Sequence, residues 1–178
     1  MSEPPEDTAA AYAHLWRSFE DAASSLSADE RLIERCLGLL EKFTWCVPSA
    51  AYRSRPDVSL FDHLRLTAAV AACLSKVERP NIDAAHFLLV MGDLSGIQSY
   101  LFALRGTGAS AKRLRARSHR ISRLAEDAAS RILGDFGLYR PNLLISAGGR
   151  FYLLLPFEED AAERLSERQR EFDTRSLD

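Results

Sequence analysis

The sequence predicts an α+β protein, an all-helical N-terminal part followed by an incomplete ferredoxin-like βαββα unit. Three observations lead there. Up to about residue 77 the apolar residues recur at helical spacing, with no strand-like run between them. At "ERPNIDAA" (78–85) the pattern changes, and the apolar run Phe87-Leu88-Leu89-Val90 follows. Further on, "NLLISAGGRFYLLLP" sets two β-rich runs on either side of a glycine pair.

Each element has its own grounds. Residues 1–8, with two prolines and three acids, read as a disordered tail. A first helix is expected from Ala9 to Ser25, with Leu15, Phe19 and Ala22 or Ala23 on one face. Ser27 and Glu30 stand at capping-box spacing before a second helix, whose stripe is Leu32, Ile33, Cys36, Leu37, Leu40 and Phe43. Residues 44–58, punctuated by Pro48 and Pro56, form an irregular connection. Ser59 and Asp62 repeat the capping-box spacing before a third helix, rich in alanine and so suited to close packing. The domain boundary is placed at 78–85, giving a helical domain over 9–82 and a second domain over 86–178.

Residues 86–93 are expected to form a buried strand. A short helix over Ile97–Leu104 is broken by "RGTGAS". The long helix from Ser110 to Leu133 should turn Leu114, Ile121, Leu124, Ala125, Ala128 and Ile132 to the core. Gly148-Gly149 marks a hairpin, and residues 158–173 form a last helix. A full βαββαβ unit needs one more strand. Without it, an unpaired edge and apolar surface are left open.

Composition narrows the function. With 178 residues, 47% apolar and 27% charged, and a net charge of −2, nothing in the totals demands nucleic acid. The distribution is uneven. Ser95 to Ala125 carries seven Lys or Arg and no acid, whereas Phe157 to Asp178 carries eight acids and four Arg. Cys36, Cys46 and Cys73 form no C-x-x-C, so reduced thiols in the cytoplasm are expected, without a zinc site or disulfide framework. The acidic N-terminus is no signal peptide, and no apolar run approaches the ~20 residues of a membrane span.

"MGDLSGIQSYLF" (91–102) holds the first chemical signal. Gly92, Asp93, Ser95 and Gly96 sit where a strand turns into a helix, a place that suits phosphates because glycines admit them to backbone N–H groups. Asp93 is also a candidate ligand for a divalent cation. The competing reading is a tight turn with Asp93 or Ser95 capping the helix. Gly148-Gly149-Arg150 lies on the hairpin. In palm-type polymerases and cyclases this hairpin carries a second metal-binding carboxylate, and two-metal chemistry needs both. Arg150 cannot coordinate Mg²⁺; it can contact a phosphate or flank the turn.

Lys112, Arg113, Arg117 and Arg120 are candidate phosphate or RNA contacts on the basic helix, along with Arg105, Arg115 and Arg123. Alternatively the basic face is answered by the acidic last helix. No aromatic interleaving supports base stacking in this stretch. Asp62-His63 is of the kind used by metal phosphohydrolases, but His14, His86 and His119 have no ligand spacing to it, and Asp62 is the better helix cap. No serine has a His/Asp escort for a hydrolase triad.

"FTWCVPSAAYRSRPDVSLFDHLRLTAAVAACL", then "GDLSGIQSYLF", a basic helix and "LLISAGGRFYLLLP" together resemble the large subunit of type III (Csm-type) CRISPR–Cas effector complexes, over about residues 40–157. The resemblance implies the later part of an HD-type helical domain followed by the start of a first palm domain, within a cytoplasmic antiviral-defence complex. In that family two palms bind two ATP molecules with Mg²⁺ and join them into cyclic oligoadenylate. The catalytic Gly-Gly-Asp-Asp belongs to the second palm. It follows that Gly92, Asp93, Ser95, Gly96, Ser146, Gly148 and Gly149 would be nucleotide-facing positions of the non-catalytic half, with no catalytic residue of their own.

Partners implied are the rest of the large subunit or a split second-palm chain, the small and backbone subunits, and guide and target RNA. The N-terminal His-Asp dyad of the family's DNase has no match here, since Asp62-His63 corresponds to a later element of that fold. A non-enzymatic RNA-contacting scaffold is the alternative function.

Overall fold

The structure, a computed structural model, describes residues 7–29, 31–49, 57–76, 84–103 and 110–175. Residues 1–6 of the expected tail, Glu30, Pro56, most of the 78–85 boundary segment, and Arg105 with nearly all of "RGTGAS" lie outside the described residues. The chain divides into two compact units, residues 1–67 and 68–178, so the division falls inside the third helix.

In the first unit, helices α1 (Thr8–Ser24) and α2 (Leu32–Thr44) pack through aromatic rings. Phe19 lies 5.6 Å from Trp16 and 5.9 Å from Phe43, centroid to centroid. Ser27 is not the N-cap of the second helix, and its expected box partner Glu30 lies outside the described residues. Helix α2 starts at Leu32, and its N-cap, Arg31, makes no side-chain cap bond. Ser27 is engaged by Arg35 instead. From one turn inside the helix its guanidinium donates to Ser27 Oγ at 3.2 Å and pairs with the Asp29 carboxylate, holding that carboxyl below its ordinary pKa. At the start of α3 (Leu60–Leu74) Ser59 does act as the cap. The Asp62 N–H donates to Ser59 Oγ at 3.0 Å, and the Ser59 hydroxyl donates to Asp62 Oδ2 at 2.8 Å.

The second unit contains β1 (Phe87–Asp93), α4 (Ile97–Phe102), α5 (Ser110–Asp135), a 3₁₀ turn at Arg140–Asn142, β2 (Leu143–Ala147), β3 (Arg150–Pro156) and α6 (Ala161–Arg175). Among the described residues the sheet is antiparallel, in the order β1-β3-β2. That is the order of the first three strands of a ferredoxin-like unit. Gly148 and Gly149 have φ of 62° and 85°, the two positive values a tight two-residue hairpin turn requires. Helix α5 lays Ile121, Ala125, Ala128, Ala129, Ile132 and Leu133 over Phe151, Leu153 and Leu155 of β3, and all nine are buried. Small residues on the helix let it approach the sheet closely.

Asn142 is the buried polar residue of this core. Its amide donates to the Leu154 carbonyl at 2.8 Å, the Ala69 carbonyl at 3.1 Å and Cys73 Sγ at 3.3 Å, tying the end of α3 to β3. Burial pushes the Cys73 thiol above its ordinary pKa, with Asn142 partly offsetting the shift.

Two expectations about burial are corrected. Strand β1 is not a buried strand. Among the described residues it lies at the edge of the sheet with alternate residues exposed, Leu89 at 67% and Met91 at 54%, because the helices cover one face of the sheet. Leu114 and Leu124 do not face the core either. Ile121 lies at Gly149, the tip of the hairpin, so the turns of α5 that precede it overrun the sheet. Leu124 lies to one side of the stripe that the alanines carry.

Candidate functional site: the sheet end at Asp93 and Arg150

Strand β1 ends beside the hairpin tip. Asp93 is paired in register with Arg150, and the Leu94 N–H donates to the Gly149 carbonyl at 3.0 Å. Arg150 Nη2 donates to Asp93 Oδ2 at 3.0 Å, with both side chains about half exposed. The carboxylate holds the guanidinium charged to higher pH than usual, and Tyr152 adds to the effect. Helix α4 has Gly96 as its N-cap, at φ 76°, without a side-chain cap bond. Neither Asp93 nor Ser95 is therefore used as a cap. Ser95 and Ser146 are exposed at the same end of the sheet.

The four glycines sort into two kinds. A Cβ on Gly92 would fall 2.1 Å from Cζ of Phe151, its cross-strand partner, and one on Gly149 would fall 2.3 Å from Ile97 Cδ1. These two glycines are filled by the protein's own side chains. Gly96 and Gly148 have positive φ and nothing within 4 Å of the Cβ position, so their space is open.

The fit to a resident metal is poor. Among the described residues no three His, Cys, Asp or Glu side chains come together. Asp93 is one carboxylate, already satisfied by Arg150, whereas Mg²⁺ demands several oxygen ligands. Asp62 is engaged in its cap and stands 3.5 Å from Arg65, so the Asp62-His63 pair gathers no metal set.

The basic helix is arranged differently from either expectation. Lys112, Arg113, Arg115 and Arg120 are exposed. Arg117 is turned inward, donating to the Tyr100 carbonyl at 2.6 Å, with its guanidinium 5.1 Å from that ring's centroid. Helix α6 meets the other end of α5 through its own cations. Its Arg168 donates to the Asp135 carboxylate at the far end of α5, and its Arg164 reaches the Asp135 carbonyl and Glu158. Those cations cap the C-terminus of α5, where helix carbonyls and dipole favour positive charge. The aromatic neighbour, Tyr100, comes from another helix seventeen residues earlier, so spacing along the basic segment gave no sign of it.

The family model for Csm1 subunit domain B matches residues 86–178. A Mycobacterium tuberculosis relative, the CRISPR system single-strand-specific deoxyribonuclease Cas10/Csm1 (subtype III-A), is 35% identical over 177 residues, covering 90% of this chain and 22% of the relative. Its counterpart of the same name in Thermococcus onnurineus is 34% identical over 142 residues, covering 75% of this chain and 18% of the relative. A solved Csm1–Csm4 cassette in complex with AMPPNP superposes with a TM-score of 0.75 at 31% identity, over 88% of this chain and 22% of that one. The chain thus spans 22% or less of the length of these relatives. No described helix is long and apolar enough to cross a membrane. With the domain B match over more than half its length and identities of this size, the chain belongs to the Csm1 family, the large subunit of type III-A CRISPR systems.

Proposed function

We propose that this chain serves in a cytoplasmic type III CRISPR interference complex and supplies the first-palm half of an ATP site. The supporting observation is the open end of the sheet, where Gly96 and Gly148 flank the Arg150–Asp93 pair. A triphosphate arriving there meets the turn backbone and a guanidinium. Arg150 then exchanges the Asp93 carboxylate for a phosphate oxygen, one anion for another, and charge-assisted bonds of this kind are the strong ones. Ser95 and Ser146, both exposed, would supply hydrogen bonds to the nucleotide. Any Mg²⁺ would be held by the second palm's carboxylates, since Asp93 is already paired with Arg150.

Solved relatives, Csm1–Csm4 cassettes, are in complex with one ATP and with cA4. On this reading the present chain binds ATP and makes cyclic oligoadenylate only with a Gly-Gly-Asp-Asp palm, whether from the rest of the large subunit or a separate chain. A Csm4-type subunit, the small and backbone subunits, and guide and target RNA complete its surroundings.

Calorimetric titration of the full chain with ATP tests the reading. Arg150→Glu should weaken binding roughly tenfold or more, the size of one lost charge-assisted bond. A mixture with a Gly-Gly-Asp-Asp palm and Mg-ATP should yield cyclic oligoadenylate. Absence of both binding heat and product overturns the proposal.

A further inference from the structure

Helix α4 is too short to hold its own place. It has six residues, no side-chain cap at its start and no buried residue. Isolated helices shorter than about 12 residues are marginal in water, because nucleation is costly. Its position beside the hairpin therefore comes from tertiary contacts, and two side chains supply them, one at each end.

At the first turn the contact is Ile97. Its Cδ1 lies 2.3 Å from the place a Cβ on Gly149 would take, and Ile121 Cγ2 of α5 lies 3.0 Å from the same point. Glycine at 149 lets the two isoleucines meet on the hairpin tip. Gly96 precedes Ile97, and Gly148 precedes Gly149. The seat of Ile97 on Gly149 thus sets the spacing of the two open glycines. At the last turn the contact is Arg117. The Tyr100 carbonyl is among the last four of α4, the ones a helix leaves without an internal partner. Arg117 Nη1 donates to it at 2.6 Å, and the guanidinium lies 5.1 Å from the Tyr100 ring. An arginine is a good closing group for such a carbonyl. Arg117 is half-buried, whereas Lys112, Arg115 and Arg120 of the same helix are exposed.

We propose that Ile97 and Arg117 are positioning residues for the ATP site: by fixing α4 at both ends, they hold the Gly96 turn at a set spacing from Gly148 and Arg150. This rests on the first-palm reading above. Neither side chain touches the nucleotide. Ile97 is engaged with the hairpin tip and Arg117 with Tyr100, so both act through the backbone of the turn. A turn already held in place loses little freedom when a ligand arrives, and affinity gains by that preorganisation.

Two variants of the full chain test the clamp and the site separately. Arg117→Met keeps a long side chain of similar helix preference and removes the bond to the carbonyl. Ile97→Val removes Cδ1, the atom nearest Gly149. Amide exchange followed by NMR without nucleotide reads the clamp. The Tyr100 and Ala103 amides donate to the Gly96 and Ser99 carbonyls. In either variant they should exchange at least about threefold faster, with the β1–β3 ladder and α5 unchanged. Calorimetric titration with ATP reads the site, and affinity should fall roughly three- to tenfold in both variants. For Arg117→Met the factor should be the same at about 0.1 M and about 0.5 M salt, because salt screens a lost charge but not a lost position. This variant should melt with the parent, since Tyr100 is 37% exposed and water reaches the freed carbonyl.

Unchanged exchange in α4 overturns the clamp whether or not ATP binds. Faster exchange with unchanged affinity overturns the positioning role and leaves the ATP reading standing. A parent that binds no ATP overturns that reading and the proposal with it. A lower melting temperature of Arg117→Met with faster exchange throughout the unit makes Arg117 a general structural residue and also overturns the proposal.

Discussion

Gly92 and Gly38 show how one residue type takes opposite roles. Gly92 is opposite Phe151 in the β1–β3 register, and the ring occupies the space a Cβ would need, 2.1 Å from Cζ. An aromatic ring laid over a cross-strand glycine is a recognised way to rescue a weak strand position. Gly38, inside α2, has nothing within 4 Å and only the helix penalty of glycine. Gly92→Ala should therefore destabilise by about 1–3 kcal/mol, as overpacking does. Gly38→Ala should stabilise by roughly 0.5–1 kcal/mol. Denaturant melts of the two variants check the pair, and the same sign for both would contradict it. At this scale the sequence was only partly legible. "GDLSG" announced glycines with a purpose, but the packing purpose of Gly92 depends on a residue 59 positions away that the sheet register brings across. Asn142 was invisible for the same reason, since its three acceptors come from α3 and β3.

Helix starts make the parallel case at the level of elements. Ser27 and Ser59 stand in the same local pattern, yet only Ser59 caps its helix. Local pattern proposes a cap, but Ser27 and Asp29 are engaged by Arg35 instead. Ser59→Ala should cost α3 about 1 kcal/mol, the usual worth of a cap. Ser27→Ala removes one exposed hydrogen bond and should cost well under half of that. Thermal unfolding of both variants tests the ranking, and an equal loss would restore Ser27 as a cap. Strongly periodic elements were the most legible. The hairpin declared itself through two adjacent glycines, both with positive φ, and α5 through its 121–125–128–132 stripe. Which apolar residues stay outside was not legible, because Leu114 belongs to the stripe in phase and misses the core only where the sheet stops.

For the molecule as a whole, the decisive feature is a sheet of the second unit covered on one face. Exposed Leu89 and Met91 on β1 and Ile145 on β2, at 67%, 54% and 59%, form with half-buried Tyr152 and Leu154 of β3 one apolar band across all three strands. The outer side of β1 has no strand partner among the described residues, so an open edge borders the band. Open edges and contiguous apolar patches drive association. The magnitude can be bounded. Burying each such side chain fully is worth about 1.5–3 kcal/mol, whereas association costs about 4–15 kcal/mol in lost freedom. Gain and cost are of the same size, so three to five side chains give weak self-association, with a dissociation constant of order micromolar to millimolar rather than nanomolar. Sedimentation velocity of the isolated chain should show a concentration-dependent shift in that range. Leu89→Lys with Ile145→Thr should abolish it, because both residues are exposed, so the core is left intact while a desolvation penalty enters the band. A chain that stays monomeric at several hundred micromolar would mean the band is too well solvated to drive contact. Its cover in the assembled complex would then have to come from polar pairing along the β1 edge, not from apolar burial.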